Sequence, residues 1–91
     1  MNRILLYANN DRDVYKLKQW LAECVAKRIK SGKEVSVEHL ANCSTMQKIT
    51  CAAAKICRKY GYPFTSKDRK EAAVSIAESI IEDAEFIINE K

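Results

Sequence analysis

An all-α bundle is the fold class this sequence predicts, and three observations carry the prediction. Two glycines and one proline in 91 residues leave too few tight turns for an all-β fold. Apolar residues recur at steps of three and four over most of the chain, the period of a helix with one buried face. Hydrophobic residues make up 47% and charged residues 31%, which is ordinary globular usage and excludes a disordered or collagen-like chain. The expected architecture is three main helices plus one helical turn in a single domain spanning 1–91, preceded by a short apolar segment.

That first segment, Ile4-Leu5-Leu6-Tyr7, is too short for periodicity to choose between a strand, an extended arm and a helical turn. It is taken as an arm over 1–9. Asn9, Asn10 and Asp11 follow with side chains suited to capping a helix.

From 11 to 31, Val14, Leu17, Leu21, Cys24, Val25 and Ile29 share one helical face. Lys27, Arg28 and Lys30 suit the carbonyl end of that helix, and Gly32 offers the left-handed cap. Ser36 can cap a short helical turn over 37–42, with Val37, Leu40 and Ala41 inward. Ser44-Thr45-Met46-Gln47 has the spacing of a capping box and opens a helix over 45–60. Its Met46, Ile49, Ala53, Ile56 and Tyr60 form a narrow seam, and Gly61 stops it. Thr65 or Ser66 caps the remaining helix, 66–89. There Ala73, Val74, Ala77, Ile80, Ile81, Ala84, Ile87 and Ile88 give an apolar face wider than a surface helix needs, so this helix is expected either at the centre or buried by a partner. Glu71, Ser75, Glu78, Glu82, Glu85 and Asn89 occupy its opposite side.

The net charge of +4 is unevenly spread: residues 1–34 carry +4, residues 35–70 carry +5, and residues 71–91 carry −5. Such segregation points to electrostatic partners better than the net figure does. The longest apolar run, Ile4 to Ala8, is too short for a membrane span or a signal-peptide core. A cytoplasmic protein is therefore expected, with Cys24, Cys43, Cys51 and Cys57 as reduced thiols.

Catalytic, cofactor and metal sites find no support. One histidine, no glycine-rich phosphate loop and no nucleophile elbow leave the usual catalytic motifs unassembled. His39 and Cys43 stand four apart, but no Cys-x-x-Cys pair completes a zinc set. The acidic row of the 66–89 helix lies opposite its apolar face and lacks the Glu-x-x-His pattern of di-iron bundles.

Two binding functions remain. The first is a non-enzymatic interaction module with a basic and an acidic face, forming a homo-oligomer or engaging a protein partner. Its contact face would comprise Trp20, Ile80, Ile81, Ile87 and Ile88, because leftover apolar area in so short a chain gains from burial. The alternative is DNA or RNA binding through a helix-turn-helix-like segment over 35–61. Thr45 and Gln47 would sit near the start of its second helix, with Lys48, Lys55 and Lys59 facing phosphates. No membrane association and no small-molecule ligand are indicated.

Overall fold

The computed structural model describes residues 2–89. Five helices occupy them in the order α1 (Arg3–Asn10), α2 (Arg12–Lys30), α3 (Val37–Ala41), α4 (Ser44–Lys59) and α5 (Ser66–Asn89), with no strand among the described residues. All five contribute to one hydrophobic core. No helix among these residues is long and apolar enough to cross a membrane.

The segment expected as an arm over 1–9 is helical instead from Arg3 onward; Met1 lies outside the described residues. Asn2 explains why. Its Oδ1 accepts the free backbone N–H groups of Ile4 and Leu5 at 3.1 and 3.2 Å, capping α1, while its Nδ2 donates to the Asp68 carbonyl at 2.8 Å. Ile4 and Ala8, one turn apart, are fully buried. Eight residues do not hold a helix alone in water; tertiary packing on α4, α2 and α5 supplies what propensity lacks.

Asp11 caps α2, accepting from the N–H groups of Asp13 and Val14 at 3.1 Å each. Both glycines end helices as expected, and both need the left-handed backbone. Gly32 (φ +87°) follows α2 and Gly61 (φ +74°) follows α4. After each, the next N–H reaches back five residues: Lys33 to the Arg28 carbonyl at 3.0 Å and Tyr62 to the Cys57 carbonyl at 2.9 Å. These bonds satisfy carbonyls that the helix ends would leave open.

The capping box expected at Ser44 does not form. The helix starts at Ser44 itself, and the Cys43 thiol accepts from the Met46 N–H at 3.4 Å. A reciprocal box forms instead before α5. The Thr65 hydroxyl accepts from the Asp68 N–H at 3.1 Å, and the Asp68 carboxylate accepts from the Thr65 N–H at 2.9 Å.

Core faces also rotate relative to the expected stripes. In α4, Met46, Ile49 and Ala53 are buried as expected and Ile56 is half-buried, but Tyr60 is exposed; Thr50, Ala54 and Cys57 complete the seam. The Thr50 hydroxyl is satisfied by the Met46 carbonyl at 3.1 Å. In α5 the fully buried residues are Ala72, Ile76, Ala77, Ile80 and Ala84, whereas Val74 is 41% exposed. The arc centres on Ile76 and Ile80 because α5 is surrounded: α2 packs along it, and α3, α1 and α4 also contact it. Its central position matches the expectation from its wide apolar face. The 24 residues of α5 rise about 36 Å, most of the 43 Å long dimension.

Candidate functional site

With Met46, Ile49, Ala53 and Cys57 turned inward, helical geometry sends the residues between them outward. Ser44, Gln47, Lys48, Cys51, Lys55, Arg58 and Lys59 are all exposed, and Thr45 is half-buried beside them. Three of the five nucleic-acid candidates, Lys48, Lys55 and Lys59, thus share one solvent face of α4 with Arg58. Gln47 is exposed at the first turn, and Thr45 is only partly so.

This face is electrostatically uncompensated. No aspartate or glutamate occurs between Glu38 and Asp68, so α4 carries four cations and no acid. Among the described residues a single ion pair forms, Lys67 with Glu71 at 3.9 Å between well-exposed side chains, and it leaves α4 untouched. Arg69 of α5 joins the face from the side, donating to the Cys51 sulfur at 3.0 Å. The acidic residues Glu78, Glu82, Asp83 and Glu85 are exposed and unpaired with any described lysine or arginine.

At the end of α4 the basic face meets an aromatic cluster. Tyr7 of α1 stacks on Tyr60 (ring centroids 6.1 Å, planes 21° apart) and on Tyr62 (6.3 Å, 30°). The Arg3 guanidinium lies 3.8 Å from the Tyr62 ring centre, and Arg58 lies 5.3 Å from that of Phe64. Lys59 Nζ is 5.8 Å from the Tyr60 ring centre. Burial, reinforced by the neighbouring Tyr62 hydroxyl, pushes the Tyr7 phenol above its usual range, with Arg3 opposing. Sequence reasoning assigned Tyr60 to the apolar seam of its helix and gave Tyr62 no role. What it missed was α1, which brings Tyr7 and Arg3 to them.

The helix-turn-helix arrangement expected over 35–61 is present in element order but not in packing. α3 seats on α5 and scarcely touches α4, whereas in that motif the first helix braces the second. Five residues give α3 a single turn, and Leu40 is its one buried side chain.

The proposed contact face also divides. Ile80 is fully buried in the chain's own core and presents no surface. Ile81, Ile87 and Ile88 are half-buried against that core, and Trp20 is 55% exposed. Trp20 rims a cleft of about 690 Å³ walled by α2, α3 and the start of α4, with no residue of α5. Phe86, unremarked in the sequence, is the most exposed large apolar side chain among the described residues at 66%; it stands between Glu85 and Ile87, outside the expected apolar stripe of the helix.

His39 lies on that cleft with Cys24 and Cys43. Among the described residues no three His, Cys, Asp or Glu side chains converge closely enough to hold a metal ion. All four cysteines are free, with Cys51 exposed and Cys57 buried. Comparison with known proteins assigns no relative: no family model matches the chain, and neither the curated proteins nor the solved structures give a significant match.

Proposed function

We propose that this chain is a non-enzymatic nucleic-acid-binding module whose contact surface is the outward face of α4. The observation that carries this reading is the set of four cations on one acid-free helix face, none of them answered by a described carboxylate. Unanswered cations in a row favour a polyanion, because each phosphate neutralised releases condensed counterions. Four free thiols accord with a reducing cytoplasmic setting.

Fluorescence anisotropy with labelled oligonucleotides at 50 mM salt tests it. Binding should weaken steeply as salt rises. Replacing Lys48, Lys55 and Lys59 together by Gln should reduce the slope of log K against log salt by about 2 to 3, and replacement by Glu should abolish binding. No binding at 50 mM salt would overturn the reading.

A second reading, self-association, is favoured by Phe86, exposed beside the half-buried Ile87 and Ile88. Light scattering should then show a dimer that Phe86→Glu dissociates; a strict monomer across concentrations would sink it.

A further inference from the structure

The tyrosine cluster reaches further than holding α1 in place. Tyr7 neighbours both Tyr60 and Tyr62, so the three rings form one cluster joined through Tyr7. Tyr62 is covered on one face by the Arg3 guanidinium, 3.8 Å from its ring centre. Tyr60, by contrast, is 60% exposed and leaves much of its ring within reach of a ligand. It stands where the cationic face of α4 ends, directly after Arg58 and Lys59.

We propose that Tyr60 is a stacking platform for an unpaired base, which makes single-stranded nucleic acid the ligand of the α4 face. This inference rests on the nucleic-acid reading above and narrows it. Proteins that hold single strands combine a cationic track for the backbone with aromatic rings on which bases stack, and every base has a π-face to offer. Both parts are present and adjacent. A duplex has no use for the platform, because its bases already stack on one another. Groove reading by α4 also lacks the usual brace, with α3 seated on α5. Lys59, 5.8 Å from the Tyr60 ring centre, is placed to meet the phosphate flanking a stacked base.

The test compares labelled 12-nucleotide DNA and RNA single strands with a 12-base-pair duplex, by anisotropy at 50 mM salt. Single strands should bind about tenfold or more tightly than the duplex. Tyr60→Ala should weaken single-strand binding by about 5- to 100-fold, with the salt slope unchanged, and leave duplex binding alone. Tyr60→Phe keeps the ring and should bind as wild type. Tyr60→Leu keeps apolar bulk for packing on Tyr7 and should lose the gain, which covers the case of an unfolded alanine variant. Equal binding of single strand and duplex, unaffected by these variants, would overturn the platform while leaving the α4 surface standing. Absence of binding to either nucleic acid would overturn both.

Discussion

Lys18 Nζ donates to the Asn9 side-chain oxygen at 2.9 Å, from a side chain only 7% exposed. Its stem is buried and its ammonium bridges to the end of α1, so one residue serves as both filler and clasp. No described carboxylate lies within ion-pair distance of it. Asn9→Ala should therefore cost about 1–2 kcal/mol, the value of a hydrogen bond to a charged group plus its exposure to poor solvation. Lys18→Met keeps the stem and removes the charge, with an expected change under ~1 kcal/mol. In the Lys18→Met background Asn9→Ala should be silent. Urea unfolding of the four proteins closes this cycle.

The four thiols should react in the order of their exposure. An aromatic disulfide reagent should titrate Cys51 first, Cys24 and Cys43 more slowly, and Cys57 only on unfolding. Burial pushes the Cys57 thiol above its ordinary value of 9.0, so the folded state holds that proton after the unfolded chain has lost it. Stability should then fall as pH rises past about 9, because the native state binds more protons there. Below pH 8 the group contributes no slope. Urea midpoints between pH 7 and 10.5 check this, and Cys57→Ala should flatten the alkaline decline.

Register within α5 separates two apolar positions two residues apart, Val74 and Ile76. Ile76→Ala empties a fully buried site and should cost about 2–5 kcal/mol. Val74→Ala trims an exposed side chain and should change stability by less than ~0.5 kcal/mol. Similar costs at both positions would contradict the packing of α5.

Gly61 and Gly32 have open space where a Cβ would go, so crowding is no obstacle to substitution. Their positive φ is. Each alanine substitution should cost about 1 kcal/mol, lowering the melting temperature by roughly 4–8 °C in a domain of this size. Gly61→Asn should cost less than Gly61→Ala, since asparagine tolerates the left-handed region.

Helix existence was legible in the sequence wherever apolar spacing ran long and a cap stood at the end. α2, α4 and α5 fall within a residue or so of their expected bounds, and Asp11, Ser36, Gly32 and Gly61 act as their residue types suggest. Rotation about the helix axis was less legible. In α5, apolar residues occupy so many positions that spacing alone admits an arc containing Val74 as readily as one containing Ile76; four neighbouring helices make the choice. α1 was hidden for a different reason. Its cap, Asn2, is held by a carbonyl 66 residues away, and no local pattern reports that. The candidate site divides in the same way. Lys48, Lys55 and Lys59 follow from helical spacing, while the aromatic stack depends on α1 docking beside residues 60–62.

That docking sets a timetable. α1 leaves the ribosome before any of its partners, yet the surfaces it needs belong to α4 and α5. At about 5–20 residues per second, the 66 residues between Asn2 and Asp68 take roughly 3–13 s to follow. During that interval Ile4 and Ala8 have only part of their final cover, from α2 and then α4, and an eight-residue helix does not persist unaided. The earliest of these five helices to be synthesised is thus among the last to settle, since its cap is complete only once Asp68 has arrived.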